Sequence, residues 1–317
     1  MATINNTLNT VTTSVTTGVQ SNENGVFYDR TLLKRLVGAL HFLKYGQKRN
    51  LPKNSGDTIN FRRFNSLTPP TSPLTEGVTP DGNNFTVTAV TAKPVQYGDY
   101  VVISDVLDTE GLDPVITEMA EVMGEEAAQK IDDVIKEEIF KGTNVQYAST
   151  ATSRDTVTAA MVLTSADVKK AVRTLRKNKV KPMADGYYIG FIDSYCAYDL
   201  MNDSLWQDVS KYSSKENIEK GEIGRIHGVR FIDNTNAFTV TNTTSVEVHA
   251  TLIIGQDAYG VVDVEGSRKP KLLIKKASEA GSADPLEQRN TVGWKLMFCA
   301  KRLQELAMVR IESGVTA

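Results

Sequence analysis

Residues 57–107 contain two strand-like segments that are separated by a stretch unable to form regular structure. The segments TINFRRF and FTVTAVTA alternate apolar and polar side chains, as the two strands of a hairpin do. Between them, LTPPTSPLTEGVTPDGNN carries four prolines and an Asp81-Gly82 turn signal. The sequence therefore predicts a long β-hairpin with an irregular tip. Because a two-stranded ribbon is marginal alone in water, we expect it to lie on another subunit.

The next segment, residues 108–142, has the apolar periodicity of an unusually long helix. Pro114 suits its first turn and Gly142 suits the position after its last turn. At a rise of about 1.5 Å per residue, some 30 residues form a rod about 45 Å long. We predict that its acidic face is solvated or intersubunit, and that it holds no metal, because no Glu-x-x-His partner exists. The acidic residues are Glu118, Glu121, Glu125, Glu126, Asp132, Asp133, Glu137 and Glu138.

The N-terminal region is predicted to be an arm followed by a small basic helix. Its first two dozen residues are mostly Thr, Asn, Ser, Val and Gly, and no charged residue precedes Glu23. Such a segment buries too little apolar surface to offset its ordering entropy, so residues 1–30 are predicted to be an arm. Residues 31–56 are predicted to be a short basic helix and a connector. The cations of this helix are either solvated or in contact with an acidic neighbour.

Residues 143–285 alternate helix and strand signals in an α/β manner. Thr164 begins a capping pattern that predicts an amphipathic helix with cations on its outer face. The run YYIGFI at 187–192 predicts a short buried strand. After Pro285, the segments GWKLMFCAKRL and QELAMVRIES predict two strands that pack against the long helix.

The composition argues against several classes of protein. The 36 Lys and Arg residues balance 38 Asp and Glu residues, whereas a sequence-independent nucleic-acid binder needs a basic surplus. Two cysteines are too few for a disulfide framework or a thiolate zinc site. No secretory signal or run of apolar residues that could span a membrane is present. We expect a cytoplasmic chain without a membrane partner.

No catalytic, cofactor-binding or metal-binding constellation is recognisable in the sequence. His41, His227 and His249 lie in no catalytic motif, and the hydrolase, zincin and P-loop signatures are missing. The glycine cluster GEIGRIHGVRF at 221–231 does not have the dinucleotide-binding spacing. A phosphate-clamping GxxG loop is opposed by Glu222, and a structural loop is the favoured interpretation. We therefore expect no enzyme activity and no cofactor.

Three segments resemble the tailed-bacteriophage major capsid proteins with the HK97-like fold. They are IEKGEIGRIHGVRFIDN at 218–234, LIIGQDAYGVVDVEG at 252–266 and DPLEQRNTVGWKLMFCAKRL at 284–303. The order of elements along nearly the whole chain resembles that family as well. The resemblance implies an α+β fold with an N-arm, an extended E-loop hairpin, a peripheral domain built on a long spine helix, and an axial α/β domain.

The resemblance also implies a division of the chain into parts. Residues 1–30 would be the N-arm and residues 57–107 the E-loop that overlaps an adjacent subunit. Residues 108–142 with 286–317 would form the peripheral domain, and residues 143–285 the axial domain. The arm, the hairpin and the long helix lack packing partners within one chain. In a shell, neighbouring subunits would supply those partners.

The function implied by the resemblance is assembly through hexamers and pentamers into an icosahedral head that encloses double-stranded DNA. The partners would be other copies of the chain, a portal, DNA without sequence-specific contacts, and decoration proteins in some particles. No charged helical segment precedes the arm, so a separate scaffolding protein is expected. Assembly would take place in the host cytoplasm, and the product would be a virion. Although Lys93 lies in the E-loop, we predict no cross-link through it.

Contacts between subunits are expected to join the acidic spine to basic groups of the E-loop or the basic helix. Alternatives are an encapsulin-type nanocompartment with the same fold, an α/β enzyme centred on residues 150–285, and a tail or decoration protein. The candidate intersubunit residues are Lys34, Arg35, Arg62, Arg63, Glu118, Glu121, Glu125 and Asp132.

Overall fold

A computed structural model describes residues 41–52, 56–110, 114–206, 222–236, 238–264, 270–279 and 284–316. The predicted arm and the basic helix with Lys34 and Arg35 lie outside these residues. The elements are α1 (Phe42–Tyr45), β1 (Gln47–Leu51), β2 (Ile59–Phe64), β3 (Val87–Ala92), β4 (Val95–Ser104), α2 (Asp105–Glu110), α3 (Val115–Ile139), β5 (Val145–Tyr147), α4 (Ser165–Lys177), β6 (Tyr188–Ile192), α5 (Ser194–Asn202), β7 (Glu222–Ile226), β8 (Val229–Asp233), β9 (Phe238–Thr241), β10 (Glu247–Ile254), β11 (Tyr259–Val264), β12 (Lys271–Lys275), β13 (Arg289–Arg302) and β14 (Met308–Ser313).

The described chain forms two compact units. The first is built from residues within 96–131 and 266–297, and the second from residues within 39–95, 132–265 and 298–317. In the first unit, β12 pairs antiparallel with the first half of β13, and β4 pairs with β13 as well. In the second unit, β1 runs parallel to β11, and β11 pairs antiparallel with the last residues of β13.

The second unit is centred on a seven-stranded sheet. Its strand order is β5-β14-β10-β6-β8-β7, and β9 also pairs with β10. Seven consecutive residues of β10 are buried, as expected of a strand covered on both faces. The helices α4 and α5 pack on the face that carries Ile253. On the other face, Phe42 makes edge-to-face contacts with Phe191 and Phe140.

Most of the predicted elements of this region are present. The strand predicted at YYIGFI is β6, all five residues of which are buried. The helix predicted after Thr164 is α4, and the two strands predicted after Pro285 correspond to β13 and β14. Their local apolar periodicity was enough to identify them.

The long helix is real, but its predicted bounds were too wide. The predicted segment 108–142 begins within α2 and then contains α3, which has 25 residues and is therefore about 38 Å long. The carbonyl of Pro114 accepts hydrogen bonds from the amides of Thr117 and Glu118, so this proline begins the first turn of α3.

The predicted hairpin with an irregular tip is confirmed. Strands β2 and β3 pair antiparallel from Ile59 opposite Ala92 to Phe64 opposite Val87. Residues 65–86 between them contain no helix or strand. Every residue from 66 to 89 is exposed. The prolines that break regular structure therefore lie in the solvated part of the hairpin.

Candidate assembly surfaces

The root of the hairpin is packed against the body of the second unit. Phe61 of β2 lies over Gly260 of β11, where a Cβ atom would come within 2.8 Å of the phenyl ring. Ala92 is 2% exposed and packs in a small core with Leu51 and Val262. A side chain at position 260 would displace the ring, so glycine is needed for this close approach. The root is thus a fixed base from which the tip extends.

The tip of the hairpin carries large apolar side chains that the described residues leave exposed. The rings of Phe64 and Phe85 are 5.8 Å apart, yet both are about 70% exposed. Soluble monomers rarely expose such a concentration of apolar groups unless another molecule covers it. The exposed apolar residues are Phe64 at 71%, Leu67 at 54%, Leu74 at 77%, Val78 at 63% and Phe85 at 69%.

A basic cleft lies beside the root. Its volume is about 460 Å³, and Arg49 of β1 lines it together with Arg62 and Arg63 of β2. All three arginines are exposed, and within the described chain no ion pair joins them to a carboxylate. The structure thus places two sequence-predicted residues, Arg62 and Arg63, at an accessible cationic site, and it adds Arg49, which the sequence analysis did not single out.

Three of the four predicted spine carboxylates lie near the surface of the first unit. Glu121 is exposed, whereas Glu118 and Glu125 are partly buried. Each of the three already has an interaction within the chain. They remain candidates for contacts between subunits, but such contacts would have to replace the interactions that these carboxylates already make within the chain.

The prediction that Asp132 faces a neighbouring subunit is wrong. Asp132 is 1% exposed, and its Oδ1 accepts a hydrogen bond of 3.1 Å from the backbone amide of Phe42. Asn236 donates a longer bond to Oδ2. Asp132 lies three residues before the buried Ile135 and seven before the buried Ile139, so all three share one helix face. This spacing was visible in the sequence, but the acidic residues were grouped without regard to face.

Burial raises the pKa of Asp132 from 3.8 to about 6, and Asp133 adds to the effect while Phe42, Asn236 and Lys136 oppose it. The folded state therefore binds this proton more tightly than the unfolded state does. Its contribution to stability is fully present below pH 3.8 and is lost as the pH rises through 6.

We predict that Asp132→Asn flattens this pH dependence. As the pH rises from 4 to 7, the unfolding free energy of the wild type should fall by about 2–3 kcal/mol more than that of the variant. Urea titrations of both proteins at a series of pH values measure this difference. Parallel stability profiles would show that Asp132 does not titrate in this range.

Phe42 is a structural residue that the sequence analysis missed. It is fully buried, and its carbonyl accepts a hydrogen bond from the hydroxyl of Tyr259, whose pKa burial raises. Its amide is held by Asp132, so both backbone polar groups of the residue are fixed. These contacts anchor the chain where the described residues begin.

A second exposed apolar surface lies on α5. Tyr195 is 62% exposed, Tyr198 59% and Met201 41%. Their spacing of three residues places them along one side of the helix, while Cys196 and Leu200 face the core. The sequence analysis did not identify this stripe, which is a further candidate for subunit contact.

The described residues show no arrangement that resembles a familiar catalytic site. His249 Nδ1 lies 2.7 Å from Asp193 Oδ2, but Ser194 donates its hydroxyl hydrogen bond to Asp233. The hydroxyl of Ser194 therefore bonds to a different carboxylate and does not complete a Ser-His-Asp triad with this pair. No group of three or more His, Cys, Asp or Glu side chains that could hold a metal occurs in this part of the chain. Among the described helices, none is long and apolar enough to cross a membrane.

The glycine cluster has a packing role. Gly224 has a φ of +153°, and a Cβ atom there would lie 2.7 Å from the indole of Trp206. The neighbouring Gly228, with a φ of +82°, forms the turn between β7 and β8. Both positions favour glycine for local geometry, which supports the structural interpretation over a phosphate-clamping loop.

Comparisons with known proteins agree with this picture. The family model described as "Phage capsid protein" matches residues 87–311. The capsid of Ralstonia phage GP4 is similar with a TM-score of 0.72 at 12% identity, covering 96% of this chain and 99% of that one. The capsid of Helicobacter pylori bacteriophage KHP30 has a TM-score of 0.71 at 15% identity, with the same coverage. The capsid of cyanophage P-SCSP1u has a TM-score of 0.70 at 14% identity, covering 92% and 93%.

No curated protein matches the sequence. The family model, however, covers well over half of the chain, and the similarity to the solved capsids extends over nearly all of it. The α+β fold predicted from the sequence is confirmed by these structures. The chain therefore belongs to the phage capsid protein family, and it is a shell protein with the HK97-like fold of tailed-phage major capsid proteins.

Proposed function

We propose that the protein assembles through hexamers and pentamers into an icosahedral head that encloses double-stranded DNA, and that its role is structural and not enzymatic. The observation that carries the proposal is the hairpin, whose root is packed in the second unit and whose tip exposes five large apolar side chains. An apolar surface that extends from a packed root, and that no described residue covers, is suited to a neighbouring copy of the same chain.

Energetic magnitudes favour a ring of such contacts over a single one. Full burial of a Leu, Val or Phe side chain is worth about 1.5–3 kcal/mol. Covering the five tip residues would therefore supply on the order of 10 kcal/mol, which is comparable with the cost of association. A single hairpin contact would therefore give only a marginal free energy of association. In a closed ring, each subunit gives one hairpin and receives another, which doubles the number of contacts per subunit.

Charged residues would set the register of these contacts. We infer that Arg62 and Arg63 meet carboxylates of a neighbour, with Glu118, Glu121 and Glu125 as the candidates, and that Lys34 and Arg35 make similar contacts. Exposed ion pairs contribute only about 0–1 kcal/mol each, so their role is to select one docking geometry and to exclude others.

The remaining partners follow from the same proposal. A shell that is filled with DNA needs a portal, and its assembly in the host cytoplasm would be guided by a separate scaffolding protein. Decoration proteins would bind the finished surface in some particles. The encapsulin-type compartment remains the second candidate within this fold, and a neighbouring gene for a cargo enzyme instead of a terminase and portal would favour it.

Electron microscopy of the purified protein tests the proposal. We expect closed shells of uniform size, made of five-fold and six-fold capsomers, when the protein is concentrated alone or with its scaffolding partner. Persistent monomers under all assembly conditions, together with absence of the protein from purified particles, would contradict the proposal.

A further inference from the structure

Helix α4 has two faces of opposite character. Val168, Ala171 and Leu175 are fully buried in the core of the second unit. Five of the thirteen residues of the helix are cationic, and all five are exposed. Two further exposed lysines, Lys179 and Lys181, follow directly after the helix. The cations of the helix are Lys169, Lys170, Arg173, Arg176 and Lys177.

Most of this charge is not neutralised within the described chain. Lys170 pairs with Asp167 at 2.9 Å. The described residues provide no ion-pair partner for Lys169, Arg173, Arg176 or Lys177. We call these four residues the α4 basic surface. In a protein with a formal net charge of −2, they form a strong local excess of positive charge.

The turn between β7 and β8 lies beside this surface. The Nη2 atom of Arg176 lies 3.6 Å from the position that a Cβ atom on Gly228 would occupy. His227 lies in the same turn, and its pKa is lowered by burial and by the nearby charge of Lys169. Next to it, the guanidinium of Arg225 stacks on the ring of Tyr187 at 4.9 Å. The carboxylate of Asp203 also acts on His227, so the positive charge of this region comes from the helix.

We propose that the α4 basic surface binds the phosphate backbone of duplex DNA without sequence preference. The proposal rests on the proposed function, since a DNA-filled shell brings its inner surface against a duplex. Protein partners usually bind through buried aromatic or aliphatic anchors, and the outward positions of α4 offer none. Single strands are bound by exposed aromatic rings, and Tyr187, the ring that the described part of this region offers, already stacks with Arg225.

The geometry and range of the charges also fit a duplex. Lys169, Arg173 and Arg176 follow one another at helical spacing along a helix about 20 Å long. A DNA strand presents a phosphate about every 3.4 Å, so several lie within reach. The balance of charge over the whole chain, which argued against DNA binding, has little effect here because salt screens charges beyond about 8 Å.

Binding of a fluorescein-labelled 24-base-pair duplex by the full-length, unassembled protein tests the proposal. We expect two unrelated sequences to bind equally. With about four phosphates neutralised, affinity should fall about 100-fold between 50 and 200 mM NaCl. The variant Lys169→Glu/Arg173→Glu/Arg176→Glu should lose binding at least 30-fold at 50 mM. If this charge-reversed variant fails to fold, the milder variant Lys169→Gln/Arg173→Gln/Arg176→Gln takes its place.

The matched control reverses three exposed lysines of the first unit, Lys271→Glu/Lys275→Glu/Lys295→Glu, and should bind DNA within about threefold of the wild type. Equal binding by the wild type and the α4 variants, or no binding by the wild type, would overturn the proposal. Preferential binding of polyglutamate at the α4 surface would instead identify an acidic protein as the partner. Shell formation, scored separately by microscopy, shows whether the proposed function stands when DNA binding does not.

Discussion

Replacing Glu312 with glutamine is expected to lower the unfolding free energy by about 3–5 kcal/mol, the usual cost of leaving a buried charge without its partner. Glu312 is 1% exposed and lies between two arginines. Arg154 donates two hydrogen bonds to the carboxylate, at 2.5 and 2.9 Å. Arg310 Nε lies 2.9 Å from Oε1 without hydrogen-bond geometry, and its Nη1 donates to the carbonyl of Phe140.

The large effect is expected because the side chain of Arg310 is only 11% exposed and is therefore poorly solvated. Burial lowers the pKa of Arg310, and the charge of Glu312 is what opposes this effect most strongly. A neutral glutamine would still accept hydrogen bonds but would leave two guanidinium groups close together in a poorly solvated site. The loss therefore comes from the uncompensated arginine charge and not from a change in side-chain volume.

Urea unfolding at neutral pH measures the change. The control is Asp57→Asn, which breaks the pair between Asp57 and Lys93 at 2.7 Å. Both of those side chains are about two-thirds exposed, so no measurable loss is expected. A loss below about 1 kcal/mol for Glu312→Gln would mean that water or a rearranged neighbour compensates the arginines.

The sequence was informative wherever a signal was local. Strand β6, helix α4 and the hairpin each follow from the spacing of apolar residues and from turn residues within a few positions. Polar residues joined over long stretches of chain were missed, because no periodic pattern marks them. The bond from Phe42 to Asp132 spans 90 positions, and the pair of Arg154 with Glu312 spans 158.

The candidate site was predictable only in part for the same reason. Arg62 and Arg63 are exposed on the hairpin, as expected. Their place in the first predicted strand could be read from the sequence around them. Asp132 was misplaced because its helix face was not considered. The sequence analysis placed the α4 cations on the outer face of a helix without giving them a role, and the near-zero net charge of the chain hid the local excess that the packed structure shows.

Shortening the hairpin is expected to abolish shell assembly while leaving the subunit folded. Replacing residues 66–85 with an Asn-Gly turn keeps the hydrogen bond from the amide of Asn65 to the carbonyl of Thr86, and Asn-Gly is suited to a two-residue hairpin. The removed residues are all exposed, so the core around Phe61 and Ala92 is untouched. We expect a circular dichroism spectrum and melting temperature close to those of the wild type, and no shells by electron microscopy.

A full-length variant separates the length of the tip from its apolar character. Leu67→Ser/Leu74→Ser/Val78→Ser/Phe85→Ser retains the extended segment but removes four exposed apolar side chains, and with them most of the energy available from burial on a neighbour. If burial drives assembly, this variant should also stay unassembled, at concentrations at least tenfold above those that suffice for the wild type. Normal shells from the serine variant but not from the shortened one would show that backbone reach and polar contacts hold the tip. Normal shells from both would mean that assembly depends on other surfaces, with the exposed stripe of Tyr195, Tyr198 and Met201 on α5 as the next to test.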